Sequence, residues 1–176
     1  MVFVTIDDGF TRDPRVVEFV RAHHWPISAF VIGSVAEQDP GYFKALAQAG
    51  ATIEDHTQDH PDLPKLSVAD QERESCGPRA RYPILLGATP RLVRPPYGNF
   101  DDTTRRAAAA CGIRTLVIWN ATMLDGALDI VGRNDFRPGD IVLLHFRRSL
   151  LQDLTALSLR FAAAGLRVAR LEDYVS

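Results

Sequence analysis

Two aspartates, Asp7 and Asp8, stand side by side at the end of an apolar run in "FVTIDDGF", Phe3 to Phe10. Because side chains alternate faces along a strand, a regular strand would point the two carboxylates in opposite directions. Gly9 follows at once and has no Cβ, so the backbone can turn sharply and bring both side chains to one side. Taken alone, Asp-Asp-Gly is more typical of a turn with an N-cap.

The segment "HTQDH" supplies two imidazoles, His56 and His60. A four-residue spacing places two side chains on one face of a helical turn, close enough to share a metal ion. Pro61 disfavours helix at His60, so we expect a short or irregular turn. Taken alone, such a pair is more often two surface histidines. One of the two aspartates would complete a ligand set that leaves a position on zinc open for water, and the other aspartate would serve as general base.

Two further segments carry candidate groups. In "RPPYG" the prolines hold the loop rigid, Arg94 could orient the base, and the Tyr97 N–H could face a developing oxyanion. The alternative is a structural arginine at a loop corner. In "IVLLH", His145 could carry a proton to a leaving group, and Leu143, on the same face of the strand, could line a small pocket for a methyl group.

Alternating strand and helix patterns must position these groups. Apolar runs that read as strands include "VFVTI", "ISAFVIG", "ATIEDH", "RLVRPPYG", "IRTLVIWN", "DIVLLH" and "RVARLEDYV". Patterns of helical period separate them, including a segment interrupted at Gly77 and Pro78; residues 123–139 read as a long irregular connection. The alternation predicts a parallel sheet, open or closed into a barrel, with ligands at the carboxyl ends of its strands. Those ends carry Asp7, Asp8, His56, Arg94, Trp119, Asn120 and His145.

Composition and charge exclude several classes of protein. The 176 residues are 46% apolar and 24% charged, with a net charge of -2, so nothing indicates a nucleic-acid or anionic-membrane partner. No apolar run approaches the ~20 residues that span a bilayer. Because the chain begins inside a strand pattern, we expect any leader or anchor to lie outside this sequence.

The two cysteines, Cys76 and Cys111, are compatible with two buried thiols or with a disulfide. Both fall in predicted helices that flank the strand of "RPPYG". We therefore predict that they are near neighbours, bonded to each other in an extracellular setting.

Taken together, "TIDDG", "HTQDH", "RPPYG" and "VLLH", in this order and spacing, resemble the motifs of the NodB-type polysaccharide deacetylases, carbohydrate esterase family 4. The resemblance extends from residue 3 to the last predicted strand and implies one catalytic domain, residues 1–176. It implies an α/β fold, an irregular and incomplete (β/α) barrel. It also implies metal-dependent removal of N- or O-acetyl groups from polymers such as peptidoglycan, chitin or xylan.

The resemblance also implies a role for each candidate residue. Asp7 is similar to the catalytic base, Arg94 to the residue that holds the base, and His145 to the general acid. The implied metal ligands are Asp8, His56 and His60. The implied substrate contacts are the backbone of Tyr97, at the oxyanion, and Leu143, at the acetyl group.

The chain departs from the family pattern at the fourth motif. The family commonly has an Asp-Trp pair after a tryptophan-bearing strand, whereas "VIWNATMLDG" offers Trp119 and then Asp125 and Gly126. We expect that Asp125 could still anchor Arg94 and that the tryptophan that walls the groove is missing.

The resemblance implies one divalent ion, Zn²⁺ or alternatively Co²⁺ or Ni²⁺, and an acetylated polysaccharide or oligosaccharide as substrate. We expect a monomer that is extracellular or associated with the cell wall, with a cytoplasmic location as the alternative. Two other functions stay open: a hydrolase of the same fold acting on a small amide or cyclic imide, and a catalytically inactive carbohydrate-binding domain.

Overall fold

The computed structural model describes residues 1–175 and confirms the predicted α/β class: eight strands form one sheet that curls into an incomplete barrel. The strands are β1 (Phe3–Asp8), β2 (Ser28–Val31), β3 (Thr52–Asp55), β4 (Leu92–Val93), β5 (Thr115–Leu116), β6 (Ala121–Leu124), β7 (Ala127–Ile130) and β8 (Ile141–His145). The helices are α1 (Pro14–His23), α2 (Gly33–Ala36), α3 (Pro40–Gln48), α4 (Val68–Leu85), α5 (Asp102–Ala110) and α6 (Leu150–Ala163). Among the helices of this range, none has the length and apolar composition that crossing a membrane requires.

The sheet order is β5-β4-β3-β2-β1-β8-β6-β7, and every neighbouring pair is parallel except β6 and β7. Strands β6 and β7 form a hairpin over residues 121–130, so the expectation of an irregular connection over residues 123–139 was wrong for its first eight residues. Asp125 and Gly126 form the two-residue turn at φ 49° and 82°. An Asp-Gly pair with both residues at positive φ matches the twist of the flanking strands.

The predicted closing strand, residues 167–175, was also wrong. Only Val168 pairs with the sheet, through a single bridge to Val2. The chain then forms a 3₁₀ turn, Leu171–Asp173, which buries Leu171 against Phe3 inside the barrel. Burying this leucine in the barrel interior directs the segment away from further strand pairing.

Helix α4 continues through Gly77 and Pro78, where the sequence predicted an interruption. The same helix carries Cys76, which is bonded to Cys111 at the end of α5, with a Cα–Cα distance of 5.2 Å. The predicted disulfide is therefore confirmed, and it joins the two helices that flank β4.

The two faces of the sheet have different neighbours. On β1, Val4 and Ile6 face outward and pack with helix residues in the main core. Alternate residues of the same strand face the barrel interior, where Phe3 belongs to an inner apolar cluster. Asp7 lies on this inner face by the same alternation, which places it in the barrel mouth.

Glu54 of β3 is fully buried, and its Oε2 accepts hydrogen bonds from the N–H groups of Arg91 and Leu92 at 2.6 and 2.8 Å. Burial raises its pKa from 4.5 to about 8, although those two hydrogen bonds oppose the shift and the nearby Glu172 adds to it. A carboxyl whose pKa is higher in the folded state stabilises that state most below its unfolded pKa. This stability is lost as the pH rises from 4.5 through about 8.

We predict that Glu54→Gln removes this pH dependence, because the amide oxygen can accept both N–H groups without a charge being buried. The free energy of unfolding of the variant should exceed that of the parent by roughly 2–5 kcal/mol above pH 8 and match it near pH 4. Urea unfolding across this pH range measures the difference. Glu18→Gln, on the exposed side of α1, is the control; parallel curves for Glu54→Gln and the parent would contradict the prediction.

Candidate metal-dependent active site

The two adjacent aspartates converge because the chain leaves the strand geometry at Asp8 itself. Asp8 has φ 82° and Gly9 has φ 112°, so the turn begins one residue earlier than the glycine alone predicted. A Cβ at Gly9 would lie 2.8 Å from Cζ of Phe43, so this position must be glycine for packing as well as for conformation. Asp7 points into the barrel from the strand, and Asp8 is turned back toward the same mouth.

Asp8, His56 and His60 each offer a ligand atom, and these atoms all lie within 4.8 Å of one another. Oδ1 of Asp8 is 3.6 Å from Nε2 of each histidine. Oδ2 of Asp7 is 3.7 Å from Nε2 of His56, but its Oδ1 is taken by Arg94. Because Asp8 reaches both imidazoles and Asp7 only one, the geometry favours Asp8 as the ligand.

The donor set and its surroundings fit a metal ion. Nδ1 of His56 lies 2.7 Å from the backbone oxygen of Arg94 and can only donate to it, which leaves the Nε2 lone pair facing Asp8. Such a bond from the second ring nitrogen is the usual way in which a ligating histidine is oriented. Two imidazoles and one carboxylate are typical ligands of Zn²⁺.

The loop that carries His60 is irregular, as Pro61 predicted, with Thr57 at φ 66° and His60 at φ 60°. Side chains accept hydrogen bonds from two of its N–H groups: Oδ1 of Asp55 from Thr57, and Oγ1 of Thr57 from His60. The loop carbonyls of residues 57 and 58 accept from the first two N–H groups of α2. The N–H groups of residues 56–60 and the carbonyls of residues 57 and 58 thus all have partners, which fixes the conformation of this turn.

Helix α4 supplies the remaining support through Glu74. Its backbone oxygen accepts from the N–H of Gln58 at 3.0 Å, and its Oε2 accepts from the N–H of Asp59 at 2.9 Å. The carbonyl is free to do so because residue 78, four positions later, is a proline and has no N–H. Gly77 leaves room for the loop, since a Cβ there would lie 2.9 Å from Oε1 of Gln58. The Gly77–Pro78 pair thus forms a docking surface for the histidine loop.

Arg94 is fully buried at the end of β4 and donates from Nη1 to Oδ1 of Asp7 at 2.7 Å. The predicted contact between these two residues is present. The guanidinium also donates to Oγ1 of Thr5 and to the backbone oxygen of Val117, and it stacks 4.3 Å from the ring centroid of Phe30. Burial lowers the pKa of Arg94, and the Asp7 carboxylate opposes that shift.

A cavity of about 400 Å³ opens beside these groups. Its lining brings together seven of the eight predicted site residues; the eighth, Arg94, lies behind Asp7. The lining residues are Asp7, Asp8, His56, His60, Pro95, Tyr97, Trp119, Leu143, His145 and Arg147.

One expectation for the fourth motif needs correction. Trp119 lines the cavity, whereas the tryptophan of the family's Asp-Trp pair is replaced by Gly126, as the sequence indicated. Asp125 lies in the exposed hairpin turn and is not among the recorded partners of Arg94 within residues 1–175, so it is not the anchor. Asn120 also lies outside the site. Its side-chain Nδ2 donates a hydrogen bond to Oδ1 of Asp140, and its Oδ1 accepts one from the N–H of Ile141.

Burial governs the titration of the site residues. It lowers the pKa of His145, although the carboxylates of Asp7 and Asp8 oppose the shift. It also lowers the pKa of His60, with a further contribution from His56. The pKa of Asp8 is lowered overall: burial acts to raise it, but the three neighbouring imidazoles, His56 foremost, outweigh burial.

Sequence reasoning missed two residues. Arg147, two positions after His145, lines the cavity, as does Pro95 of the predicted rigid loop. Glu74 supports the histidine loop from a helix far along the chain. A proline four residues after Glu74 inside a helical pattern was the available signal, because it frees a carbonyl for an outside donor.

We predict that Glu74→Ala accelerates hydrogen exchange at the Asp59 amide by about 5-fold, since one hydrogen bond contributes about 1 kcal/mol. Exchange measured by NMR tests this. Glu72→Ala, on the exposed side of the same helix, is the matched control. Equal protection of Asp59 in the two variants would show that the Glu74 carboxylate does not hold the loop at Asp59.

Comparisons with known proteins agree with this geometry. The pattern of the family described as polysaccharide deacetylase matches residues 1–116. An uncharacterised protein of Streptomyces coelicolor is 39% identical over 181 residues, which cover 99% of this chain and 73% of that protein. A chitooligosaccharide deacetylase of Sinorhizobium fredii is 32% identical over 155 residues, 82% of this chain and 71% of that protein.

Solved structures show the same fold. A family 4 carbohydrate esterase from Streptomyces lividans, in complex with acetate, superposes with a TM-score of 0.82 at 25% identity, covering 94% of this chain and 89% of that one. A CE4 family pseudoenzyme from Bacillus anthracis has a TM-score of 0.86 at 20% identity, covering 98% of this chain and 64% of that one. With the family pattern matched over most of the chain, the protein belongs to the polysaccharide deacetylase family, carbohydrate esterase family 4.

Proposed function

We propose that this protein is a metal-dependent hydrolase that removes acetyl groups from an acetylated amino-sugar polymer. One observation carries the proposal: a three-ligand cluster, Asp8, His56 and His60, stands beside a second carboxylate, Asp7, that Arg94 holds away from it. The named activity of the Sinorhizobium fredii relative supports the substrate class. Zn²⁺ suits the two imidazoles and one carboxylate, with Co²⁺ or Ni²⁺ as alternatives.

When bound at these ligands, a divalent ion supplies positive charge that lowers the pKa of water and polarises the acetyl carbonyl. Asp7 then accepts the proton of the attacking water through Oδ2, since Arg94 occupies Oδ1. Arg94 keeps the carboxylate ionised and fixes its direction.

His145 stands ready to protonate the departing amine or hydroxyl. It is the direct neighbour of Asp7 across the β1–β8 ladder, and neighbouring strands lie about 4.8 Å apart. The acid and the base therefore act from adjacent positions on one rim. The Tyr97 N–H would stabilise the oxyanion, and Leu143 would pack against the acetyl methyl group.

The proposed catalytic domain is the whole chain, residues 1–176. The family pattern matches only residues 1–116, yet Trp119, Leu143 and His145, which lie beyond it, line the same cavity. We also propose an extracellular or cell-wall location, which the disulfide supports because disulfides persist in oxidising compartments.

An inactive carbohydrate-binding protein is the second candidate, favoured by the fold shared with the Bacillus anthracis pseudoenzyme and by the displaced Asp125. Acetate release from an N-acetylglucosamine oligomer, with and without a chelator, separates the two. We expect release that the chelator abolishes and added Zn²⁺ restores; glycan binding without release would favour the second candidate.

We predict that Asp8→Asn and His60→Ala each weaken Zn²⁺ binding by at least about 100-fold, because each removes a direct ligand. Metal content by mass spectrometry and a competitive zinc titration measure the loss. Asp59→Asn, an exposed change in the same loop, should keep the metal. Retention of zinc by Asp8→Asn and its loss by Asp7→Asn would reverse the two assignments.

We predict that Asp7→Asn and His145→Ala keep the metal while turnover falls by ~10²–10⁴, the usual contribution of a positioned base or acid. Acetate release is read beside metal content in the same samples. A variant that lost neither metal nor turnover would show that its residue takes no part in proton transfer.

A further inference from the structure

Arg147 is the only lysine or arginine that lines the active-site cavity within the described residues. Its backbone is fixed on both sides: its N–H donates to the carbonyl of His145 at 2.8 Å, and its carbonyl accepts from Leu150 at 3.1 Å. Its side chain is exposed, and within residues 1–175 its guanidinium makes no hydrogen bond or ion pair. Arg147 therefore has a fixed backbone and an unpaired guanidinium at the mouth of the cavity.

The other charges of the site are already engaged. Arg94 is buried on Asp7, and Asp8 lies between the two histidines. With a divalent ion bound and the imidazoles neutral, the formal charges leave the cavity positive, although the whole chain carries -2. A cleft of one sign concentrates ligands of the opposite sign.

The remaining wall is suited to a sugar ring. Tyr97, with 64% of its surface exposed, and Trp119 present aromatic groups beside Pro95. A planar guanidinium recognises a carboxylate through two parallel hydrogen bonds, which an ammonium or a neutral amide does not reproduce. The aromatic faces suit a sugar ring and the free guanidinium suits a carboxylate, so together they suit a glycan that carries a carboxylate.

We propose that Arg147 is a specificity-determining residue and that the preferred substrate is an acetylated amino-sugar glycan with a carboxylate on the reacting sugar or its neighbour. This inference rests on the proposed deacetylase function and narrows its substrate class. The carboxylate could belong to a lactyl ether on the amino sugar or to a neighbouring uronic acid.

The test compares four glycans of equal length. Two are neutral: an N-acetylglucosamine oligomer, and a glycan of alternating N-acetylglucosamine and N-acetylmuramic acid whose carboxylates are converted to amides. Two are acidic: the same muramic acid glycan with free carboxylates, and a glycan that alternates N-acetylglucosamine with glucuronic acid. We expect kcat/KM for the better acidic glycan to exceed that for a neutral one by about 2–10-fold at low salt, mainly through KM. The two acidic glycans distinguish the two sources of the carboxylate.

Arg147→Gln should bring this ratio to about one, Arg147→Lys should keep part of it, and salt should reduce it in the parent protein. Arg148→Gln is the matched control, because it removes the same charge one residue away, from a side chain that lines a separate hollow between α1 and α6. An unchanged ratio in Arg147→Gln, or an equal loss in Arg148→Gln, would overturn the proposal.

Failure of the proposed function gives a different result. In that case none of the four glycans releases acetate. If only the inference about Arg147 fails, acetate is still released, but the acidic glycans are not preferred over the neutral ones. Calorimetric binding of the muramic acid glycan and its amide to Asp7→Asn protein, with and without Arg147→Gln, tests the preference independently of turnover. Equal affinity for acid and amide would overturn the inference there too.

Discussion

The buried ion pair between Asp7 and Arg94 is the constraint on which the site depends. Side-chain exposure is 3% for the aspartate and 0% for the arginine, so either charge alone would be costly in the barrel interior. The same arginine accepts from Nδ1 of His56 through its backbone oxygen. One residue at the end of β4 therefore sets the direction of the candidate base and of one candidate metal ligand. A shift of β4 relative to β1 would disturb both.

Backbone strain is concentrated around this pair. Of the six residues other than glycine with positive φ in residues 1–175, four lie at the site: Asp8, Thr57, His60 and Tyr97. Each such conformation costs about 1 kcal/mol or more and persists only where its surroundings impose it. Asp55 and Glu74 accept hydrogen bonds from N–H groups of the histidine loop, and two N–H groups of α2 donate to its carbonyls; these bonds supply that constraint. The disulfide joins α4, which carries Glu74, to α5, so the support of the loop is itself anchored.

The chain differs from the usual family pattern around its fourth motif, and the structure shows a local consequence. The Asp-Gly pair forms a hairpin turn at the sheet edge, where Asp153 binds the Gly126 N–H at 2.7 Å. The aromatic wall comes instead from Trp119, which also lies 5.6 Å from the Arg94 guanidinium. A tryptophan that lines the cavity and packs near the buried arginine connects the cavity wall to the ion pair.

The sequence alone predicted the fold class and eight residues that the fold brings together at the candidate site, because alternating strand and helix patterns place strand ends on one rim. It did not determine that residues 121–130 form a hairpin or that the last segment turns inward, since short segments take their conformation from tertiary contacts. It identified Asp7 and Asp8 as a pair, but their convergence depends on φ 82° at Asp8, a conformation that aspartate adopts only occasionally and that a regular strand excludes. Glu74 and Arg147 entered the site only in the folded protein. Their roles arise from proximity across the chain, and proximity is decided by packing.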